Sequence, residues 1–306
     1  MERFAEMIDL ELRKSLENYF NVPQLYEHAL LCLEDKMQES MLLGKMTVLH
    51  YRMFAGMDNE DIYRAAAAVE IMMLSLDIID DIQDKDNGKM IWNRLAPEIA
   101  LNIGIGLLTL SGELILSTSF PLERKLQAAR IINQEILIAV NGQMRDLFND
   151  IHTEEEYIVM VSQKSAALLV AASMIGTILA TGEWIEGVKQ YTEELGIAAQ
   201  IKNDIRDLLN WDHKNDFLNR KKTLPTLYLL QSVSENERWI VDYFEGRLDF
   251  NDVAERKGEV ESIIESTGTL LYTSVRMRTH YYRYLELIEQ LNLEPQWKEQ
   301  MLAFAE

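Results

Sequence analysis

The chain has 306 residues, of which 48% are hydrophobic and 26% charged, an ordinary balance for a globular protein with a sizeable core. Fifty acidic residues against thirty basic ones leave a formal net charge of −20, which argues against nucleic-acid binding, since that needs a basic face. A single cysteine, Cys32, excludes an internal disulfide framework and fits a reducing compartment, so a cytoplasmic location is expected.

Helical spacing dominates, with 5 prolines, 14 glycines and no alternating pattern longer than a few residues. Helices are predicted over about 3–19, 24–42, 60–83, 96–118, 121–149, 154–180, 185–210, 224–232, 235–245 and, with a break, 252–291. Asp58 with Asp61, Thr153 with Glu156, and Ser234 with Glu237 place a capping acceptor and an acid in a first turn. Pro97 and Pro121 suit helix starts, and Gly182 and Gly268 suit stops. No apolar run reaches the roughly 18 residues of a membrane span; the nearest, Ala166 to Ala180, is too short. The N-terminal stretch MERFAEMIDLELRK is charged and lacks the apolar centre of a signal peptide. Nothing marks an internal boundary, so residues 1–306 read as one all-α domain.

Two stretches break this pattern. Leu74 to Asn87, LSLDIIDDIQDKDN, ends an apolar helix in Asp77, Asp80, Asp81, Asp84 and Asp86. Buried carboxylates cost several kcal/mol each unless paired or metal-bound. Asp80 and Asp84 are four residues apart and share a helix face, with Asp81 beside them, so a positive charge is expected above them. Hard oxygen ligands of this kind suit Mg²⁺, which also takes waters and phosphates. Taken alone, the stretch could equally be a solvated acidic helix end. Gln200 to Asp207, QIKNDIRD, then repeats the pattern with Asn203, Asp204 and Asp207, among Ile197, Ile201, Ile205 and Leu208. Asp204 follows Asp80 by 124 residues, and two facing oxygen clusters can hold several Mg²⁺ ions and a diphosphate.

In this order and separation the clusters resemble those of the trans-isoprenyl diphosphate synthase (polyprenyl synthetase) family. Further landmarks are Lys45 in G-K, Gln143 and Asp146 in G-Q-x-x-D-L, Lys164 in K-S-A-A-L and Lys221 in R-K-K-T-L-P. The wording around L-S-x-D-I-x-D-D, A-T-G-E and I-E-Q-L-N-L is similar to the ComQ-type pheromone prenyltransferases within that family. The resemblance implies an isoprenoid-synthase helical bundle with a central active-site cavity, three Mg²⁺ ions with bound diphosphate, and a homodimer. It implies ionisation of an allylic isoprenyl diphosphate and transfer of the prenyl group to an acceptor. Asp80, Asp81, Asp84, Asn203, Asp204 and Asp207 would hold the metal, and Lys164 and Lys221 the diphosphate. Asp80, Asp84, Asp204, Lys164 and Gln143 would carry the catalysis. Gln143 and Gln200 would orient waters or steady the cation, unless they are simply satisfied by backbone. Ser75 and Leu76, one turn before Asp80, would gauge the prenyl tail, with Met72 and Met73 as deeper filler. The polar run Asn210 to Lys222 reads either as a solvated connection or as a flexible lid whose lysines neutralise the diphosphate.

The sequence departs from the family where chain-elongating members bind isopentenyl diphosphate. Their G-K-R-x-R-P is here Gly44, Lys45, Met46, Thr47, Val48 and Leu49; their histidine after Glu70 is Met73, and their arginine pair is Lys89 and Met90. Lys45 and Lys89 remain as substrate-binding candidates. Prenyl transfer to another nucleophile, such as a peptide tryptophan, is what the ComQ-type likeness implies. Elongation with isopentenyl diphosphate stays open if His50, Arg52, Arg276, Arg278 or Arg283 rebuild an anion pocket. Ionisation without an external acceptor, as in a terpene cyclase, and a non-catalytic subunit are the remaining readings.

Overall fold

The computed structural model describes residues 2–38, 40–55, 59–84, 89–211, 215–291 and 293–304; no strand occurs among them. In chain order the α-helices are α1 Glu2–Tyr19, α2 Pro23–Lys36, α3 Leu42–Ala55, α4 Asp61–Asp84, α5 Pro97–Leu116, α6 Leu122–Phe148, α7 Glu154–Val161 and α8 Ala167–Thr181. They continue with α9 Glu186–Leu209, α10 Leu224–Ser232, α11 Trp239–Phe244, α12 Phe250–Val253, α13 Lys257–Ser266, α14 Thr269–Gln290 and α15 Pro295–Phe304. The chain packs as two compact units. One comprises Met1–Ala139, Ala167–Thr192 and Leu291–Glu306, the other Val140–Ala166 and Glu193–Gln290.

The first unit is built on α4. Four consecutive alanines and Val69 are fully buried, because α4 is flanked by α1, α3, α5 and α8. Alanine has the highest helix propensity and lets backbones approach closely. The start of α4 is capped by Asn59, whose Oδ1 accepts the Asp61 N–H at 3.0 Å; the expected cap, Asp58, lies outside the described residues. Helices α3 and α15 were not foreseen, and the helix predicted over 24–42 ends at Lys36. Helix α3 carries Gly44 in its first turn and buries Met46, Val48, Leu49 and His50 together.

The second unit has two apolar clusters. Tyr157, Ile197, Ile201 and Leu224 anchor one. The other centres on Phe217, whose ring contacts Trp211, Trp239, Tyr243 and Phe244. Phe217 therefore converts what was predicted as a solvated loop or lid into a packed turn, over its described part. Burying such a ring is worth roughly 2–3 kcal/mol. Asn215, also buried, ties the turn to the end of α9 by donating from Nδ2 to the carbonyls of Leu208 (2.8 Å) and Asn210 (2.9 Å). The caps at Thr153 and Glu156 form as predicted, and Glu237 accepts from the Ser234 N–H at 2.8 Å. Gly182 and Gly268 take positive φ, as stops do.

Where the sequence reading found no membrane-length run, two helical stretches meet that length and composition, Pro97–Leu116 and the continuous Glu154–Thr181. Buried core helices pass the same test, and 44% and 61% of their apolar windows are buried inside the protein.

Candidate active site

The first acidic cluster occupies the last turns of α4, where Asp80, Asp81 and Asp84 are half-buried. A helix C-terminus carries partial negative charge, so carboxylates there are disfavoured twice over unless cations or donors compensate. Some compensation is built in. Asp81 Oδ2 accepts from Trp92 Nε1 at 2.7 Å and Asn93 Nδ2 at 3.2 Å, and Asp77 Oδ2 pairs with Lys36 Nζ at 2.7 Å. Ser75 is fully buried and its Oγ donates to the Gly104 carbonyl at 2.7 Å, while Leu76 is half-buried. Asp86 lies outside the described residues.

The remaining candidates of the first unit are less available. Lys45 is half-buried on α3, close enough to Glu70 to lower its proton affinity. Glu70 is buried, and its Oε1 accepts the Gly44 N–H at 2.6 Å. Burial outweighs that hydrogen bond and pushes the carboxyl up to about 7. Met46 and Val48 are sealed in the core, with 1% and 0% of their surface exposed, so neither position faces a pocket. His50 is buried with Nδ1 at 2.7 Å from the Met46 carbonyl and Nε2 at 2.5 Å from the Tyr191 hydroxyl; burial lowers it to about 4, keeping it neutral. Arg52 donates to the Tyr63 hydroxyl at 3.0 Å and lies 4.7 Å over the Phe4 ring. Lys89 is exposed beyond α4.

The second cluster is deeper. Asp204 on α9 is 5% exposed, and both its oxygens are held: Tyr157 Oη donates to Oδ2 at 2.5 Å and Gln200 Nε2 to Oδ1 at 2.8 Å. Burial still pushes Asp204 up to about 6, against those two hydrogen bonds and with help from Asp146 and Asp207. Asn203 and Asp207 are half-buried on the same helix, and Arg206 Nε donates to Asp207 Oδ1 at 3.1 Å. Lys164 Nζ donates to Asp146 Oδ2 at 2.5 Å. Gln143 is half-buried on α6. Of the alternative cations, Arg276 pairs with Glu154, and Arg283 with Glu286 at 3.4 Å.

The sequence reading missed Asp216, Tyr157 and Ser165. Asp216 is buried, accepts from Thr223 Oγ1 at 3.1 Å, and is pushed well up by burial and by the Asp204 charge, with Lys221 opposing. Its signal was position, five residues before Lys221, in a run that read as loop. Tyr157 is core, and its hydroxyl reaches the acid. Ser165 Oγ donates to Gln200 Oε1 at 2.8 Å.

Among the described residues no three His, Cys, Asp or Glu side chains converge as a ready-made metal chelate. The donor set nevertheless fits a hard divalent cation. It is carboxylate oxygen, and Asp204 and Asp216 are buried with their proton affinity raised, Asp204 by burial with Asp146 and Asp207, Asp216 by burial with Asp204, a strain that positive charge relieves. Mg²⁺ needs few protein carboxylates when phosphate oxygens and waters complete its shell.

Compared with solved structures, the fold is that of the isoprenoid synthases. A polyprenyl synthetase from Streptomyces coelicolor superposes with a TM-score of 0.83 over 100% of this chain and 97% of that chain, at 20% identity. A geranylgeranyl pyrophosphate synthetase from Pyrococcus horikoshii gives 0.81 over 99% and 97%, at 22% identity. The polyprenyl synthetase family model matches residues 40–280, and the chain belongs to that family; it is a prenyltransferase. The tryptophan prenyltransferase ComQ of Bacillus subtilis subsp. natto is 32% identical, covering 98% of this chain and 90% of its own. ComQ of Bacillus subtilis is 30% identical over 86% of each. A geranylgeranyl diphosphate synthase of Sulfolobus acidocaldarius is 30% identical over 72% of this chain and 71% of its own.

Proposed function

We propose that residues 1–306 work as one Mg²⁺-dependent enzyme that ionises an allylic isoprenyl diphosphate and transfers the prenyl cation to a tryptophan of a peptide. Bound Mg²⁺ would supply Lewis-acid stabilisation of the departing pyrophosphate. Asp80, Asp81 and Asp84 on α4, and Asn203, Asp204 and Asp207 on α9, would hold it. Lys164 and Lys221 would add positive charge at the leaving group. Gln143 and Gln200 would orient waters or steady the cation, Lys45 and Lys89 would touch substrate, and Ser75 and Leu76 would border the prenyl tail.

One observation carries the choice of acceptor: beyond Lys45 and Lys89, the positions that would cradle a second diphosphate offer it little charge. Met46 and Val48 are closed core, His50 is neutral with both ring nitrogens engaged, and Arg52 is stacked on Phe4. Each charged contact to a phosphate contributes on the order of 1.5–3 kcal/mol, so losing two weakens isopentenyl diphosphate binding by roughly two to four powers of ten. An indole attacks through carbon and needs no anionic anchor. The ComQ likeness supports the same acceptor. Elongation is the second reading, supported by the likeness to a geranylgeranyl diphosphate synthase.

A homodimer is part of the proposal, supported by Ile105, Leu122, Leu126 and Leu137, large apolar side chains more than half exposed on α5 and the first part of α6. A cytoplasmic site of action is supported by the lone, fully buried Cys32.

The test is incubation with Mg²⁺ and geranyl, farnesyl or geranylgeranyl diphosphate, with isopentenyl diphosphate or with a tryptophan peptide, followed by product analysis. The expected product is a prenylated peptide, with little elongation. Elongation at a micromolar KM for isopentenyl diphosphate would replace this reading with the second one.

A further inference from the structure

Where α7 meets α8 the backbone widens into one turn of π helix, Ser162–Ala166, of sequence SQKSA. Two glycines from other helices press against it. A Cβ on Gly142 of α6 would stand 2.2 Å from the backbone nitrogen of Lys164, and one on Gly196 of α9 would stand 2.7 Å from the Cα of Ala166. Both contacts meet backbone, so no flexible side chain can yield. The turn is held in a slot that only glycine leaves open.

A π turn inserts one residue into the helix and re-aims the side chains around it, and such turns are frequent at functional sites. Here neighbours in sequence are sent to different helices. Lys164 Nζ reaches Asp146 on α6 at 2.5 Å, while Ser165 Oγ reaches Gln200 Oε1 on α9 at 2.8 Å. Asp204 Oδ1 takes the Gln200 nitrogen at 2.8 Å, which turns the amide oxygen toward Ser165, and the hydroxyl, able to donate or accept, donates to it. Tyr157, two turns earlier on α7, donates to the other oxygen of Asp204 at 2.5 Å. The chain Ser165–Gln200–Asp204–Tyr157 thus begins and ends on the same kinked helix and closes around one carboxylate. If Tyr157 served packing alone its hydroxyl would be a liability, because a fully buried hydroxyl is tolerated only with a partner.

We propose that the π turn and Tyr157 form a positioning frame that fixes the direction of the Asp204 carboxylate toward the cation bound with the diphosphate. Tyr157 and Ser165 are positioning residues in this frame, acting through Asp204. The inference rests on the reading of Asp204 as a metal ligand. Loss of a partner that orients a metal ligand typically costs 10–100-fold in metal affinity.

The experiment is calorimetric titration of Mg²⁺ into the full-length protein at fixed inorganic pyrophosphate, with unfolding temperature measured on the same samples. Tyr157→Phe and Ser165→Ala should each weaken Mg²⁺ by about tenfold or more while still unfolding cooperatively. Ser165→Thr, which keeps the hydroxyl, should bind as wild type. Asp204→Ala should lose the binding altogether. If Asp204→Ala loses it but Tyr157→Phe and Ser165→Ala bind as wild type, the frame is overturned and the metal reading stands. If Asp204→Ala binds as tightly as wild type, the metal reading itself falls.

Discussion

The two acidic clusters carry nearly the same motif and are housed in opposite ways. Asp80, Asp81 and Asp84 sit half-buried at a helix end, with Asp81 held by Trp92 and Asn93 and Asp77 by Lys36 one turn back. Asp204 and Asp216 are sunk into the second unit among neutral donors, Tyr157, Gln200 and Thr223, with their proton affinity raised. Half-buried carboxylates can still be neutralised in part by water and counterions. A buried carboxylate must be aimed by its neighbours, as Asp204 is by Tyr157 and Gln200. The same motif therefore sits half-buried at the end of α4, while on α9 its central carboxylate, Asp204, is sunk among neutral donors and Asn203 and Asp207 stay half-buried.

The largest effect expected is on metal-dependent pyrophosphate release. Asp80→Ala and Asp204→Ala should each reduce it by on the order of 10³-fold, as loss of a principal electrostatic stabiliser does. Full activity in both would remove the metal assignment, and loss in only one would show that a single cluster suffices. Next in size is the packing of the Phe217 turn. Phe217→Ala should destabilise the protein by about 3–5 kcal/mol, read as the shift in a urea unfolding midpoint. A change below about 1 kcal/mol would show that the 215–222 segment contributes little to the fold and would revive the lid.

How far each cluster was legible in the sequence follows the same division. Asp80 and Asp84, and Asn203, Asp204 and Asp207, could be read because their chemistry lies in spacing along one helix. The neighbours that aim Asp204 could not. Tyr157 and Ser165 lie in a run with ordinary helix composition, predicted as one helix over 154–180, and the π turn within it depends on Gly142 and Gly196, contributed by other helices. Asp216 was hidden because a single aromatic, Phe217, decides the burial of an otherwise polar stretch. In the first unit α3 was not foreseen, although α4 and α8, which are buried almost throughout, were. Most helices, α3 and α15 apart, were thus local information, and site orientation was not.

A smaller effect separates the lysines from the carboxylates. Lys164 is about three-quarters buried beside Asp146, at 2.5 Å. Lys164→Met should weaken binding of inorganic pyrophosphate in the presence of Mg²⁺ by roughly 10–100-fold, the worth of one charge-assisted contact. Asp146→Asn leaves the ammonium in place and should weaken it less. Equal losses in the two variants would mean that Lys164 serves the fold through Asp146 and makes no contact with the diphosphate.

The smallest effect tests the first unit, where Glu70 is the buried acid that corresponds in character to Asp204. Its carboxyl is raised to about 7 from an ordinary 4.5, first by burial, with Asp77 adding to the rise and the Gly44 N–H, Lys36 and Lys45 opposing it. Between those two values the folded chain holds a proton that the unfolded chain has released. Stability therefore falls as pH rises through about 4.5 to 7, and the cost is complete above that window. Glu70→Gln cannot ionise, and its amide oxygen can still accept from Gly44. The variant should match wild type near pH 5 and unfold a few degrees higher at pH 8, a cost on the order of 1–3 kcal/mol being removed. Other titrating groups do not disturb the difference. His50, lowered to about 4, makes the protein less stable as pH falls from about 6.5 toward that value, and Asp204 acts in the opposite sense below about 6. Both contributions are common to the two proteins and cancel in the comparison. A gap in unfolding temperature that stays constant from pH 5 to pH 8 would show that Glu70 does not titrate in this window. A variant less stable at pH 8 would show that the carboxylate, paired with Lys36 and Lys45, contributes more as an ion than its burial costs.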